Sequence, residues 1–199
     1  MAPAVVRAFR ILDLISRSPS PVGTSEVARR LRLPKSTAHG LLRALVEAGG
    51  VEAVGTRYRL GPEISRLASV VELRRRWRPA LRRIAAETGE TAFLGQARGG
   101  RVAIIDEVPG SGAPIVSAPV GSFVPAGAGA LAKVLAGAVS AEDEGEYLSG
   151  VNAAAVRVPG GLLWVAGFES RLPGERLPAV VALLEDAAGS AAGLSLDRP

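Results

Sequence analysis

The 199-residue chain has no cysteine, one histidine, one methionine, and only two Trp, two Tyr and four Phe. Without cysteine there is no disulfide framework and no thiolate metal site. The single histidine, His39, cannot fill the usual zinc ligand sets, and any Ser-His-Asp chemistry would have to run through it. No cofactor and no metal are expected. No apolar run approaches the ~20 residues of a membrane span, and Met1-Ala2-Pro3 leads into charged residues without a signal-peptide core. A soluble, cytoplasmic chain with no membrane partner is therefore expected. What the chain does have is 48% hydrophobic residues, enough to exclude disorder, in a core made of Ala, Val and Leu. Its length suits one ordinary domain or two small ones, and two is the better reading.

The net charge of +5 conceals an asymmetry. Residues 1–83 hold 17 Arg or Lys against 6 Asp or Glu, whereas residues 84–199 hold 7 against 13. A basic module precedes an acidic one. A solvated basic face is one reading of an Arg-rich stretch, but a swing of this size favours a polyanion partner for the first module. The excess of Arg over Lys, with abundant Ala and Gly, looks like genome composition rather than a functional choice.

Val5, Phe9, Leu12 and Ile15 recur at helical spacing, with Ala8 and Ile11 widening the stripe, and predict an amphipathic helix over 5–17. Ser18-Pro-Ser-Pro ends it. Thr24 suits the N-cap of a second, two-turn helix whose apolar face is Val27, Ala28 and Leu31. After Leu33-Pro34 a third helix starts at Lys35-Ser36-Thr37, buries Ala38, Leu41, Leu42 and Leu45, and ends at Gly49-Gly50. Its open face carries Lys35, Ser36, His39, Gly40 and Arg43. Two short helices joined by a tight turn are the layout of a helix-turn-helix, whose second helix reads base edges with its N-terminal residues. Residues 51–60 alternate around Gly55-Thr56, with Val51, Ala53, Tyr58 and Leu60 on one face and Arg57 and Arg59 on the other. Such a hairpin is a wing able to touch phosphates, or an ordinary hairpin with a solvated face. From Pro62, the stripe Ile64, Leu67, Ala68 and Val71 predicts a linker helix that pairs with a second copy and is broken at Pro79.

The strings Leu33-Pro34-Lys35-Ser36-Thr37-Ala38-His39, Leu41-Leu42-Arg43, Tyr58-Arg59-Leu60-Gly61 and Ala85-Ala86-Glu87-Thr88-Gly89-Glu90-Thr91 resemble the IclR family of bacterial transcription regulators. The resemblance covers nearly the whole chain. It implies an α+β protein: a winged helix-turn-helix over 1–61, a linker helix over 62–78, and a GAF-like α/β effector-binding and oligomerisation domain over 79–199. It further implies a sequence-specific DNA-binding regulator, not an enzyme. Such proteins act mostly as repressors, sometimes as activators, modulated by a small-molecule effector, and as a homodimer or tetramer on a palindromic operator in double-stranded DNA; a repressor is expected here. The alternative is a ligand-insensitive DNA-binding accessory protein whose second domain only oligomerises. Carried over by motif, the DNA side comprises Thr24, Lys35, Ser36, Thr37, His39 and Arg43, with Arg57 and Arg59 from the wing. His39 is as well explained by solvation as by base reading. Gly40 stands where the family usually has a larger, often basic residue, at a cost of ~1 kcal/mol in helix propensity.

In the second module, a helix over 79–88 capped by Gly89 is followed by strands over 91–97 and 101–108 around Gly99-Gly100 and a third strand over 115–118. A helix over 128–136, strands over 151–158 and 162–168 around Pro159-Gly160-Gly161, and a closing helix over 177–192 complete a sheet flanked by helices. The acidic run 142–146 reads as a solvated loop. Residues 125–133 pair glycines with Lys133, but a Walker loop needs Ser or Thr after the lysine and here Val134 follows. The segment resembles instead the family stretch that opens the helix lining the effector pocket, where small residues let a ligand approach. A further helix pair that the family carries after Ala136 is missing, an apparent internal deletion. The resemblance then assigns the effector site to Ser117, Ala130, Leu131, Asp143, Val151, Ala153, Ala166 and Phe168. That set is more apolar than one built for a small carboxylate, and an ordinary core without ligand remains an alternative.

Overall fold

The computed structural model describes residues 3–125 and 127–193, so Met1, Ala2, Ala126 in the 125–133 segment and the end of the second domain beyond residue 193 lie outside the described residues. The chain divides into two compact units, 1–71 and 72–199. In the first, α1 (Ala4–Ser16), α2 (Thr24–Leu31) and α3 (Lys35–Glu47) pack on a small sheet of β1 (Val22–Gly23), β2 (Val51–Val54) and β3 (Arg57–Leu60) in the order β1-β3-β2. Ile11, Val27, Ala38 and Leu42 are fully buried between these elements. The N-cap of α2 is Gly23, and no side chain caps the helix, which corrects the assignment of that role to Thr24. Pairing of Val22 with Tyr58 and Gly23 with Arg57 keeps the chain extended through residue 23, so Thr24 already lies inside the first turn. Arg32 ends α2 in the left-handed region at φ 51°, and α3 starts three residues later.

One helix, α4 (Pro62–Thr88), contributes residues to both units. It continues through Pro79, where a break was expected. A proline inside a helix costs ~3 kcal/mol because it lacks an N–H and crowds the preceding turn. Burial of Trp77, Leu81 and Ile84 on either side of it offsets that cost.

The second unit is a six-stranded antiparallel sheet of β4 (Thr91–Arg98), β5 (Arg101–Val108), β6 (Phe123–Pro125), β7 (Ser140–Leu148), β8 (Val151–Val158) and β9 (Gly161–Phe168), ordered β6-β5-β4-β9-β8-β7. Two helices, α5 (Gly129–Leu135) and α6 (Leu177–Gly193), accompany it. Two sequence expectations fail here. Residues 115–118 form no strand, because Phe123–Pro125 takes the place beside β5, Arg101 facing Pro125. The acidic run 142–146 lies within β7 rather than in a loop. Asp and Glu disfavour strands locally, but pairing of Ser140 through Glu144 with Val156 through Asn152 overrides the preference.

Strand alternation sends Phe93, Ile104, Ala155, Leu162 and Trp164 to one face of the sheet, where α5 adds Ala130, Leu131 and Val134. Gly95 belongs to this face by necessity. A Cβ there would overlap Val102 and the Trp164 ring, which stacks on Phe93 with centroids 5.0 Å apart. Ala92, Leu94, Ala154 and Val165 are buried on the opposite side. Helices α4 and α6 are joined there by Arg83 and Asp186 at 2.7 Å.

Candidate functional site

On α3, Ala38 and Leu42 are fully buried, while Lys35, Ser36, His39, Gly40 and Arg43 are exposed on the other side and Thr37 is half-buried. Thr24, at the start of α2, is also half-buried. The three arginines that the sequence marks for this face already have partners. Arg43 Nε bonds Glu47 at 3.1 Å, and Arg59 on β3 pairs with Glu52 across the hairpin. Arg57 donates to the Pro21 carbonyl at 2.7 Å and lies 3.5 Å from Glu26. Among the described residues Lys35 makes no ion pair, and neither do Arg7, Arg10, Arg29 and Arg32. Arg7 and Arg10 flank a small cleft with Leu31, the last residue of α2, and Leu33, in the turn before α3. This free basic set was not singled out from the sequence, although the i, i+3 spacing of Arg7 and Arg10 was there to be read.

The second unit holds a cavity of about 200 Å³ between the sheet face and α5. Phe93, Ile104 and Trp164 come from the sheet, Ala130 and Leu131 from α5, and Val116 from the irregular segment after β5. Of the eight positions assigned from the sequence to an effector site, all but Phe168 line it. Phe168 instead packs at the edge of the apolar cluster, with the Arg171 guanidinium 5.7 Å from its ring. The aromatic pair Phe93 and Trp164, and Tyr147 and Leu148 beside the cavity, were missed. The last two directly follow the run read as a solvated loop.

Among the described residues Asp143 is the one charged residue lining the cavity, and it is 4% exposed. Its Oδ1 accepts the N–H of Glu146 at 2.7 Å and that of Tyr147 at 3.4 Å, fixing the irregularity where β7 loses register with β8. Its Oδ2 packs against Gly129 at the start of α5, so closely that a Cβ at residue 129 would overlap it. The room left by the glycine is thus filled by the chain's own carboxylate. Ser117 faces the cavity but donates its hydroxyl to Glu107 at 2.6 Å. Nearby, Arg171 donates to Glu90 and to the Pro114 carbonyl, tying down the segment that carries Val116. Those bonds to Glu90 raise the guanidinium above its ordinary pKa. Among the described residues no cluster of three metal-ligating side chains occurs, and no helix is long and apolar enough to cross a membrane.

The family model of the IclR helix-turn-helix domain matches residues 4–55, and that of the bacterial transcriptional regulator IclR C-terminal domain matches 65–158. The chain belongs to the IclR family. Among IclR-family relatives, it is 30% identical over 142 residues to the HTH-type transcriptional regulator TtgV of Pseudomonas putida, covering 69% of this chain and 55% of TtgV. It is also 30% identical over 148 residues to the transcriptional repressor IclR of Escherichia coli, covering 70% of this chain and 54% of that one. The chain thus matches about half the length of these curated relatives. An IclR-family crystal structure from a Rhodococcus species superposes with a TM-score of 0.57 at 19% identity, over 96% of this chain and 92% of that one. The likeness extends to the mixed α+β architecture, a helix-turn-helix domain followed by a curled-sheet domain.

Proposed function

We propose that the protein is a DNA-binding transcription regulator of the IclR type that represses its target as a homodimer or a tetramer and responds to a small apolar effector. The observation that carries this reading is α3. One side is buried, and the other presents Lys35, Ser36, His39 and Arg43 as a recognition surface. Lys35, Arg57 and Arg59 contact phosphates, and Arg43 reads a base edge after leaving Glu47. Val5 and Phe9 on α1, and Leu67 and Val71 on α4, are between 49% and 68% exposed, and a second copy covers them. The repressor named among its relatives supports the sign of regulation. The cavity beneath α5 is the effector site.

The test is binding of the purified chain to its own upstream DNA against a scrambled duplex across a salt series, because specificity is meaningful only as a ratio at stated salt. A ratio of ~10³ or more supports the regulator. Equal binding to both duplexes overturns the assignment of sequence reading to α3.

A further inference from the structure

Resting on the reading of the cavity as the effector site, we infer that it takes a one-ring molecule bearing a hydrogen-bond donor and rejects carboxylates. Size sets the first limit. At about 200 Å³ the cavity is slightly larger than the ~150 Å³ engineered cavity that accommodates benzene. A single ring with a short substituent fits against the stacked Phe93 and Trp164.

Charge sets the second limit. An acidic ligand in such a site would need a cation or a set of free N–H donors. Among the described residues no Lys or Arg lines this cavity; Lys133 on α5 points elsewhere, to the Glu142 carbonyl and Glu146. The start of α5, where an anion could meet backbone N–H groups, is occupied by Asp143 Oδ2 packed over Gly129. Asp143 forms no ion pair among the described residues, and only its Oδ1 is hydrogen-bonded. A second carboxylate beside this buried, uncompensated one is repelled in a low-dielectric site. A hydroxyl or ammonium donor gains the acceptor capacity left on Oδ2.

The experiment compares benzyl alcohol, benzylamine, toluene and benzoate by calorimetry on the full chain, with tryptophan fluorescence as a second readout because Trp164 lines the site. The expected result is that benzyl alcohol or benzylamine binds at least ~10-fold more tightly than both toluene and benzoate, and that Asp143→Asn reduces the discrimination against benzoate by a similar factor. Asn keeps an Oδ1 acceptor for the Glu146 and Tyr147 N–H groups. Should the variant fail to fold, the ranking on the unsubstituted chain decides by itself. Benzoate binding as tightly as benzyl alcohol overturns the inference. Toluene binding as tightly as the alcohol and the amine removes the donor requirement while leaving an apolar effector site in place. No binding by any of the four overturns both this inference and the effector reading of the cavity.

Discussion

Arg171 holds Glu90 by two parallel hydrogen bonds, Nε to Oε1 at 2.7 Å and Nη2 to Oε2 at 2.8 Å, and the Glu90 side chain is only 2% exposed. The fork geometry satisfies both carboxylate oxygens at once. Removing the guanidinium leaves a buried carboxylate without a counter-charge, which costs far more than the loss of a surface pair. Arg171→Ala should lower the Tm by about 5 °C or more, whereas Arg82→Ala, an exposed arginine, should shift it by roughly 1 °C or less. Because the hydrogen bonds to Glu90 raise the pKa of Arg171, the contribution of that group is complete at any pH below its ordinary guanidinium value and is lost only as pH rises through the still higher folded value. The Tm gap between wild type and Arg171→Ala should therefore show no change from this group between about pH 6 and 9 in thermal melts.

Arg59 and Glu52 face each other across the hairpin, so Arg59 must leave its partner to reach a phosphate. Glu52→Gln should tighten binding to any duplex by about 2–5-fold, the scale of an exposed ion pair. Arg59→Ala should weaken it on all sequences and flatten the salt slope by ~1. Fluorescence anisotropy on specific and scrambled DNA checks both.

Gly40 lies in the middle of α3 with nothing within 4 Å of a Cβ placed there. Gly40→Ala should stabilise the protein by about 0.5–1 kcal/mol through the lower backbone entropy cost of alanine, measured by urea denaturation. Gly40→Arg should also steepen the salt dependence of DNA binding by about one phosphate contact.

Leu67 and Val71 are one turn apart on α4, 49% and 67% exposed. If the proposed dimer forms through this face, Leu67→Glu with Val71→Glu should convert it to monomer in sedimentation velocity and lower DNA affinity by at least ~10-fold, since two linked heads bind more tightly than one. An unchanged sedimentation coefficient would place the dimer contact elsewhere.

The first unit was legible because α2 and α3 show their buried faces directly, whereas on α1 only part of the apolar stripe is buried, at Ile11 and Ile15, and Val5 and Phe9 stay exposed. Ile11, Val27, Ala38 and Leu42 sit at helical spacing between clear stop signals, and the Gly55-Thr56 and Gly99-Gly100 turns mark their hairpins. The misread elements were those decided at a distance. Strand β7 is made of residues that disfavour strands and exists because β8 offers it a ladder. Residues 115–118 look like a strand, but β5 pairs with Phe123–Pro125 instead. Helix α4 passes Pro79 because apolar burial on both sides outweighs the local defect. The positions around the cavity came from family likeness, which drew attention to Asp143. What Asp143 does at Gly129 depends on two segments fourteen residues apart, which periodicity does not connect.

The strand order also bears on how the second unit assembles. Pairs β4–β5, β7–β8 and β8–β9 are hairpins between neighbours in sequence, but β4–β9 joins Thr91 to Ala166 and closes a loop spanning most of the unit. Loop-closure entropy is thus concentrated on the central seam. Phe93 and Trp164 lie opposite one another across that seam, so the floor of the cavity exists only once the two halves of the sheet have met. A ligand seated there acts as a clasp, and should slow unfolding by holding together the pairing that is most expensive to form.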